Sequence, residues 1–360
     1  MSESVKYNIV GVMSGTSLDG LDLALCEFSI TDGVFDFKIL DALTVKYDKK
    51  QKTKLQSAPY LNVENYFSLH HQFGRFIAKE VNLFTANHSL VIKGIASHGH
   101  TIFHQPKKGF STQLGCGATI TANTGLITIC DFRSLDVALK GQGAPLVPIG
   151  DKLLFGNHQS CLNIGGIANI SFDNLNGQRT AFDICVANLG LNFYSEKVGK
   201  DYDHNGEMAA EGKLCTELFN DLNNLPFFKA TGAKSLGREW FENDFLRVIE
   251  NYQLTVNDIL CTLTHHCAYQ ISQTLNNNKL NNVFITGGGA FNNYLINTLK
   301  HYFNGTVTIP DEQVVNFKES LIFAFLGYLR LTEQTNTLCT VTGAVKDSIG
   351  GAVYFSNNKI

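Results

Sequence analysis

The sequence contains no CxxC pair, no apolar run approaching the roughly 18 residues of a membrane span, and no long run of one charge sign. Its 29 lysines and arginines stand against 32 aspartates and glutamates, a formal net charge of −3. Binding to nucleic acid or to anionic lipid depends on clustered positive charge. We therefore expect a small-molecule partner, with no nucleic acid and no membrane.

The nine cysteines are odd in number, and several lie in apolar stretches, such as Cys26 in LALCEF and Cys130 in ITICDF. This pattern is typical of reduced, buried thiols in a cytosolic protein. The N-terminal stretch MSESVKYNIV lacks the basic segment and apolar core of an export signal. A cytoplasmic location is the expectation.

The first part of the chain predicts the order β-β-β-α-β. Residues 7–28 form two apolar runs around a Gly/Ser/Thr/Asp turn, which is typical of a hairpin, and FDFKILDAL predicts a third strand. A helix follows Asn62 and ends before the strand-like VIKGIAS. Its helical spacing is carried by Val63, Tyr66, Phe67, His70, Gly74, Ile77, Val81 and Phe84.

The second part begins in a similar way. CLNIGG turns into IANISF, and a third strand ends at AFD, around Asp183. Helices are expected near 208–222, 239–250 and 265–276, and NNVFITGGGAFNNYLINTLKHYF predicts strand, glycine turn and helix. The similar order of the two halves suggests a duplication.

Two domains are also favoured by the length of 360 residues, at roughly 150 residues per domain. The boundary is expected in DFRSLDVALKGQGAPLVP, where glycine and proline interrupt regular structure at Gly141, Gly143, Pro145 and Pro148. We assign 1–132 to an N-terminal domain completed by about 340–360, and 133–339 to a C-terminal domain.

The first candidate site is MSGTSLDGLD, residues 13–22. Backbone that curls around phosphate needs glycine for close approach, hydroxyl donors, and a carboxylate for a hydrated cation. This segment supplies all three, although it is not a P-loop because GxxxxGK[ST] is absent from the sequence. An ordinary polar hairpin turn is the alternative, since Gly, Ser and Asp dominate turns.

Two further glycine turns occur at NIGGIANISF, residues 163–172, and FITGGGAFNN, residues 284–293. A lone Gly-Gly turn usually indicates only a hairpin. Three consecutive glycines between a strand and a helix let a base or ribose lie against bare backbone. The turn in FITGGGAFNN does not match GxGxxG, so a dinucleotide site is the weaker interpretation.

Seven segments carry a family resemblance: GVMSGTSLDGLDLAL, SHGHTIFHQP, DFRSLDVALKGQGAPLVP, LNIGGIANISF, VFITGGGAFNN, ESLIFAFLGYLRL and VTGAVKDSIGGAVY. From about residue 9 to 355 the chain resembles the anhydro-N-acetylmuramic acid kinases of the sugar kinase/heat-shock chaperone/actin superfamily. The resemblance implies an α/β fold of two actin-like (ribonuclease H-like) domains, with mixed sheets flanked by helices and the active site in the interdomain cleft. Members of this family are commonly homodimers.

The resemblance implies ATP and Mg²⁺ as cofactors and an amino sugar as substrate. It makes the three glycine turns the first phosphate loop, the second phosphate loop and the adenosine contact. The implied ATP-binding residues are Gly15, Thr16, Ser17, Leu18, Asp19, Gly20, Leu21 and Asp22, then Gly165 and Gly166, then Gly287, Gly288, Gly289 and Asn292. Asp19 is the implied Mg²⁺ ligand, through water.

The family's reaction uses ATP and water to open the 1,6-anhydro bridge and yields N-acetylmuramic acid 6-phosphate and ADP. Water must lose a proton as it attacks the anomeric carbon, which demands a carboxylate base. Asp183 in AFDICVAN matches the family's general base and is expected just past a buried strand. Many relatives read FDTGPGN, so this chain lacks the proline and both glycines but keeps Asp183 and Asn188. A turn or helix cap is the alternative role for Asp183.

The resemblance also places sugar contacts at Arg133 and Asp136 of DFRSLD, and an arginine suits the lactyl carboxylate of the substrate. An interdomain salt bridge is their alternative role. Glu319, which leads ESLIFAFLGYLRL, is assigned to orient water or a sugar hydroxyl, with a helix-dipole contact as the alternative.

Histidines do not predict a metal site. His98, His100 and His104 match a family stretch without metal, and relatives often have Gln where His100 stands. His265 and His266, with Cys267, are expected to open a helix and point in different directions. Structural or substrate-contact roles are favoured.

The leading hypothesis is thus a kinase for anhydro-N-acetylmuramic acid in peptidoglycan recycling. The alternatives are a kinase for another amino sugar, favoured by the altered FDICVAN segment, and an actin-like ATPase without sugar kinase activity. The shared scaffold does not separate these, but the ATPase leaves DFRSLD, GQGAPL and Asp183 unexplained.

Overall fold

The computed structural model describes residues 6–15, 18–230, 232 and 234–356. The chain divides into two compact units, one made of Met1–Leu154 with Phe317–Ile360 and one of Phe155–Asn316. These boundaries differ from the sequence-based 132/133 and 339/340. Segment 133–154 falls in the first unit, where Asp136 bonds to Thr342 and Lys318 pairs with Asp151.

The first unit contains a seven-stranded sheet with strand order β12-β6-β4-β1-β2-β3, and β5 pairs with β4. Strands β1, β2 and β3 are antiparallel, whereas β4 is parallel to both β1 and β6. The strands are β1 (Tyr7–Ser14), β2 (Gly20–Thr31), β3 (Val34–Lys46), β4 (Ile92–Gln105), β5 (Phe110–Leu114), β6 (Thr128–Cys130) and β12 (Ala352–Tyr354).

The predicted β-β-β-α-β order is confirmed, with one additional helix, Lys49–Ser57, before the predicted one. The predicted helix runs from Val63 to Thr85, and Asn62 caps it by accepting a hydrogen bond from the Asn65 N–H. The C-terminal half of the predicted face, from Gly74 to Phe84, is buried, whereas Val63 and Phe67 are exposed. The first-unit helices are α1 (Lys49–Ser57), α2 (Val63–Thr85), α3 (Gly117–Thr124), α4 (Ser134–Ala138) and α5 (Val147–Leu154), then α14 (Glu312–Leu331) from Phe317 onward and α15 (Cys339–Thr342).

The second unit contains a five-stranded sheet with order β11-β10-β7-β8-β9. Strands β7, β8 and β9 are antiparallel, and β10 is parallel to both β7 and β11. This repeats the β6-β4-β1-β2-β3 arrangement of the first unit, so the predicted similarity of the halves is confirmed. The strands are β7 (Ser160–Ile164), β8 (Ile167–Asp173), β9 (Arg179–Val186), β10 (Asn282–Thr286) and β11 (Thr306–Thr308).

Two predicted helices of the second unit are broken. Gly212 separates α7 from α8, and its Cα hydrogens face the Asn257 carbonyl without room for a Cβ. Residues 241–245 form a π-helix between α10 and α11. The helices are α6 (Asn188–Glu196), α7 (Glu207–Glu211), α8 (Thr216–Asn223), α9 (Pro226–Lys229), α10 (Arg238–Trp240), α11 (Leu246–Ile249), α12 (Val256–Asn277) and α13 (Asn293–Tyr302).

His265 and His266 lie within α12 rather than at its start. Thr255 caps that helix by accepting a hydrogen bond from the Asp258 N–H, so the helix begins well before the histidines. His266 is fully buried, which lowers its pKa to about 3, and it hydrogen bonds to Asn223. His265 contacts the hydroxyls of Tyr294 and Tyr302. These contacts give both histidines structural partners.

Gly11 on β1 packs directly against α14 in the first unit. A Cβ at this position would overlap the Ser320 carbonyl and lie 3.0 Å from the Cβ of Ala324. We expect Gly11→Ala to lower the free energy of unfolding by about 1–3 kcal/mol, because the strand and helix must separate. Urea denaturation measures this effect. Gly166→Ala, where a Cβ meets nothing closer than 3.6 Å, is the control; an equal loss in both variants would contradict the packing argument.

Candidate active site

Asp183 lies inside β9, not past its end as the sequence predicted. The pairing with β8 shifts between Ala168–Cys185 and Asn169–Asp183, which leaves Ile184 as an extra residue. Such a bulge redirects neighbouring side chains without ending the strand. The strand therefore continues through Asp183 to Val186.

The segment Lys234–Leu236 holds Asp183 in place. The Asp183 N–H donates to the Lys234 carbonyl at 2.9 Å, and the Leu236 N–H donates to Oδ2 of Asp183 at 2.8 Å. Burial raises the pKa of Asp183, and the Leu236 hydrogen bond opposes that rise. One carboxylate oxygen is therefore fixed by backbone. Sequence reasoning missed this segment because backbone donors leave no signal in residue types.

The Gly165-Gly166 turn is bonded to the start of α6. The Gly166 carbonyl accepts from the N–H groups of Ala187 and Leu189, both at 3.0 Å, and the Gly165 carbonyl accepts from the Asn188 N–H at 3.1 Å. The Asn188 side chain donates to the Ile164 carbonyl at 3.2 Å. The second glycine turn is thereby hydrogen bonded to residues 187–189, which follow the strand that carries Asp183.

The third glycine turn packs on the end of β7. Gly287 has φ = 82°, and a Cβ there would lie 2.8 Å from the Ile164 carbonyl oxygen. A Cβ on Gly289 would overlap the Ile164 side chain, whereas one on Gly288 would find only the Asn188 amide, at 3.6 Å. The second unit thus brings Gly165, Gly166, Asn188 and the three glycines together. Folding requires Gly287 and Gly289, but it does not require Gly288.

Asn292 is an N-cap. Its side chain accepts from the Leu295 N–H at 3.0 Å at the start of α13, and Gly206 packs against its Oδ1. Its own N–H donates to the Gly289 carbonyl at 3.1 Å. The sequence assigned Asn292 to adenosine; its observed contacts fix the geometry of the glycine turn and α13.

The first glycine turn lies in the first unit, between β1 and β2. Thr16 and Ser17 lie outside the described residues. The Leu18 N–H donates to the Gly15 carbonyl at 3.3 Å, and Leu18 has φ = 62°, a left-handed conformation unusual for a non-glycine residue. Gly20 leaves no room for a Cβ because the Val45 carbonyl would be 2.6 Å away. Leu21 is buried in the first-unit core.

Three carboxylates influence one another beside this turn. Asp19 is exposed, and Asp22 accepts a 2.6 Å hydrogen bond from the Thr44 hydroxyl. Burial raises the pKa of Asp22, and the charge of Asp19 raises it further. Glu319 keeps an exposed face, but the protein packed around it and the charge of Asp22 raise its pKa, and Arg133 partly offsets this rise. The first unit therefore gathers negative charge around Asp22.

Glu319 lies in the first turn of the second segment of a kinked helix. Helix α14 begins at Glu312 and bends at Phe317, where φ is −117° and ψ is 15°. Glu319 follows this bend and reaches solvent, while the adjacent Lys318 is buried in a 2.8 Å ion pair with Asp151. The predicted position of Glu319 near a helix start therefore holds for the segment after the kink, although helical structure already begins at Glu312.

Arg133 is held by two acceptors of the first unit. Its Nε and Nη2 lie 3.2 and 2.9 Å from Nε2 of His98, and its Nη1 donates to the Gly143 carbonyl at 2.6 Å. Burial lowers the pKa of Arg133 to about 10. At neutral pH the guanidinium therefore remains charged.

Asp136 supports the turn at Gly143, whose carbonyl accepts the hydrogen bond from Arg133. Its Oδ2 accepts from the Gly143 N–H and its Oδ1 from the Thr342 hydroxyl, both at 2.7 Å. The side chain is buried. Both carboxylate oxygens are thus engaged by the protein. Thr342 was missed by sequence reasoning because it is 206 residues from Asp136, although its segment VTGAVKDSIGGAVY carries the family resemblance.

Histidine, cysteine and acidic residues form no group of three or more suited to a metal ion among the residues that the structure describes. His100 Nδ1 lies 2.9 Å from the Ser14 hydroxyl, which accepts from the Tyr47 hydroxyl at 2.7 Å. His104 Nδ1 lies 3.1 Å from the Ser111 hydroxyl. All nine cysteines are free thiols. No helix within the described ranges combines the length and hydropathy needed to cross a bilayer.

Comparisons with known proteins agree with the resemblance. The family model described as "Anhydro-N-acetylmuramic acid kinase" matches residues 7–356. The anhydro-N-acetylmuramic acid kinases of Hydrogenovibrio crunogenus and Francisella tularensis subsp. novicida are each 35% identical, over 98% and 99% of this chain and 100% of their own. A solved structure of a ROK family glucokinase from Streptomyces griseus with glucose and AMPPNP gives a TM-score of 0.39 at 10% identity, covering 89% of this chain and 98% of that one.

The mixed sheets flanked by helices confirm the predicted α/β class, and the family match makes the chain a phosphotransferase. More narrowly, it belongs to the anhydro-N-acetylmuramic acid kinase family. The resemblance inferred from sequence is confirmed.

Proposed function

We propose that this protein uses ATP and water to open 1,6-anhydro-N-acetylmuramic acid, giving N-acetylmuramic acid 6-phosphate and ADP, in cytoplasmic peptidoglycan recycling. The observation that carries the proposal is a half-buried Asp183 carboxylate, fixed through one oxygen by the Leu236 N–H. Nine free thiols support a cytoplasmic location. Homodimer formation remains a prediction, as do domain limits at 132/133 and near 340.

Asp183 acts as the general base. With Oδ2 bonded to Leu236, its Oδ1 takes a proton from water as that water attacks the anomeric carbon. The electron pair of the breaking bond between C1 and O6 stays on O6. O6 then bonds to the γ-phosphorus of ATP, whose bond to the ADP oxygen breaks. The balance is one water and one ATP consumed for one sugar phosphate and one ADP.

The glycine turns hold the nucleotide. The first phosphate loop consists of Gly15, Thr16, Ser17 and Leu18–Asp22. The second phosphate loop consists of Gly165 and Gly166. The adenosine contacts the Gly287–Gly289 turn and Asn292. Supporting this role, side chains at Gly165, Gly166 and Gly288 would meet no heavy atom closer than 3.3 Å. At Gly166 and Gly288, where a Cβ would meet nothing closer than 3.6 Å, packing does not require glycine, and close approach of a ligand gives a reason for bare backbone.

Mg²⁺ would lie beside Asp19, held through water, with Asp22 and Glu319 near it. Such an ion is ordinarily bound by one or two carboxylates, waters and substrate phosphates, so a cage of three protein ligands is not required. The residues fit, because Asp19 is exposed, its charge acts on Asp22, and the charge of Asp22 acts on Glu319, so a cation there would stabilise three carboxylates. When bound, Mg²⁺ neutralises charge on the transferring phosphoryl group.

Sugar recognition falls to four residues. Arg133 binds the lactyl carboxylate, and Asp136 shapes the Gly143 turn to which Arg133 is bonded. Asn188 contacts the sugar beside the base. Glu319, which reaches solvent, orients water or a sugar hydroxyl.

The open position at Gly288 gives a direct test of nucleotide binding. We expect Gly288→Ala to leave the unfolding midpoint unchanged but to raise the Kd of ATP, because the added methyl occupies ligand space. Gly287→Ala is the matched contrast: it should destabilise the protein by about 1–3 kcal/mol through its left-handed φ and crowded Cβ. Calorimetry and thermal unfolding measure both quantities. An unchanged ATP affinity in Gly288→Ala would argue against the adenosine contact.

The pKa of Asp183 predicts the acidic limb of the pH profile. Proton abstraction needs the carboxylate, so kcat/KM should fall as pH drops through the Asp183 pKa, which burial raises above its ordinary 3.8. The limb should therefore have its midpoint above 3.8. Circular dichroism over the same range controls for acid unfolding. Constant kcat/KM down to pH 4 in the folded protein would contradict Asp183 as the base.

The experiment that tests the function as a whole is turnover of the anhydro sugar with ATP and Mg²⁺ in ¹⁸O-labelled water. Label at the anomeric hydroxyl of a 6-phosphorylated product supports the proposed reaction. A rate of ADP release that does not depend on the sugar would instead indicate an actin-like ATPase. Membership of this kinase family argues against that alternative.

A kinase for another amino sugar is the second candidate. The specific observation in its favour is the chain's own Ile184-Cys185-Val186-Ala187 sequence between Asp183 and Asn188, in which Ile184 is the bulged residue. Parallel assays with 1,6-anhydro-N-acetylmuramic acid and N-acetylmannosamine separate the two. A higher kcat/KM with the open-ring sugar would favour this candidate.

A further inference from the structure

His98 has a defined protonation pattern. It lies buried on β4, and its Nδ1 is 3.0 Å from the Gly99 carbonyl. A carbonyl oxygen only accepts, so Nδ1 carries the hydrogen. In the neutral ring Nε2 then bears a lone pair. The imidazole therefore presents an acceptor on the side opposite to Gly99.

Arg133 uses that acceptor. Its Nε and Nη2 both direct hydrogens toward Nε2 of His98, and Nη1 donates to the Gly143 carbonyl. A guanidinium has five N–H groups, and these bonds use three. One N–H remains on each terminal nitrogen, which is the number that a bidentate carboxylate requires.

The surroundings keep the His98 ring neutral and fixed. Its centroid is 4.6 Å from that of Phe323, which packs on one side of the ring. Burial lowers the pKa of His98 well below its ordinary value, and the charge of Arg133 lowers it further. The nearby His100 acts in the same direction, whereas the bond to Gly99 opposes it. A protonated ring would turn an N–H toward the guanidinium and break the pair.

We propose that His98 is a positioning residue that orients Arg133 for the lactyl carboxylate of the sugar. The inference rests on the proposed function, because it takes the carboxylate from that substrate. His98 itself does not contact the reacting atoms. It fixes one edge of the guanidinium so that the other is presented in a single orientation.

Substitutions at His98 separate this role from simple packing. His98→Leu keeps bulk but removes the acceptor, whereas His98→Gln retains an acceptor oxygen at similar reach. Hydrogen bonds to charged groups are worth enough that we expect His98→Leu to raise KM for the anhydro sugar by about 10- to 100-fold, with a smaller change in kcat. His98→Gln should restore most of the affinity. His71→Leu, at an exposed histidine of the same unit that is bonded to Thr119, is the control and should resemble the wild type.

A double-mutant cycle provides the decisive readout. In an Arg133→Lys background, His98→Leu should add little to KM, since the group it positions is already changed. Should His98→Leu fail to fold, the Gln variant and ¹⁵N NMR of the His98 ring still test the proposal. We expect a ring hydrogen on Nδ1 and none on Nε2 between pH 6 and 8.

The outcomes are distinguishable. Absence of turnover by the wild type would refute the proposed function and, with it, the sugar carboxylate as ligand. Turnover by the wild type, combined with fully additive effects of His98→Leu and Arg133→Lys, would overturn the positioning role alone. Equal KM losses in the Leu and Gln variants, or a hydrogen on Nε2, would also overturn it.

Discussion

Replacing Asp183 with asparagine is expected to lower kcat by about 10²- to 10⁴-fold, the usual contribution of a general base. Asparagine has nearly the same shape, and its carbonyl oxygen can still accept from the Leu236 N–H. The variant therefore removes the basicity and keeps the geometry. Initial rates at saturating sugar give kcat, and calorimetry gives the Kd of ATP, which should change little.

Asp221→Asn is the matched control. Asp221 is an exposed aspartate of the same unit, bonded to the Tyr252 hydroxyl. Its loss should leave kcat close to that of the wild type. A kcat in Asp183→Asn within tenfold of the wild type would remove Asp183 from the base role. Equal losses of kcat and of ATP affinity would point to a structural role, in which Asp183 only ties β9 to the Lys234–Leu236 segment.

The order of strands was predictable because it depends on local patterns. Apolar runs separated by glycine turns gave the hairpins of both halves, and helix α2 carried its own cap at Asn62. The resemblance implied the mixed sheets, but the spatial order of the strands was not predicted. The same local signals located all three glycine turns correctly, so the sequence contained the positions of most candidate ligand contacts.

The parts that could not be predicted depend on distant or backbone groups. The bulge at Ile184 arises from pairing with β8, and the Leu236 N–H that holds Asp183 belongs to any residue type. The tie between Asp136 and Thr342 joins positions far apart in the chain. No periodicity or spacing encodes such contacts. The chemistry of individual residues was therefore easier to predict than the groups that hold them.

The glycines illustrate the same distinction. From sequence, Gly287, Gly288 and Gly289 are equivalent members of one turn. In the structure, Gly287 and Gly289 are constrained by the end of β7, and Gly288 is open. A requirement for glycine has two physical origins, close packing and ligand approach, and only coordinates separate them.

Replacing Arg133 with leucine is expected to reduce kcat/KM for the anhydro sugar by about 30-fold to several thousand-fold, since an unpaired charged partner costs about 2–5 kcal/mol. Arg133→Lys should recover part of this loss, because lysine keeps the charge but not the bidentate geometry. The Kd of ATP should be unaffected in both variants.

The lactyl group provides the control for Arg133. 1,6-Anhydro-N-acetylglucosamine lacks that group, so its affinity, measured as substrate or as competitive inhibitor, should not depend on a carboxylate partner. We expect Arg133→Leu to remove most of the wild-type preference for the muramic sugar. Equal losses for both sugars would instead assign Arg133 to the support of the Gly143 turn, to which its Nη1 donates. In Arg133→Leu both His98 and Gly143 lose the hydrogen-bond donor that Arg133 supplies. If that loss affects both sugars equally, Arg133 supports the structure; if it affects mainly the muramic sugar, Arg133 recognises the carboxylate.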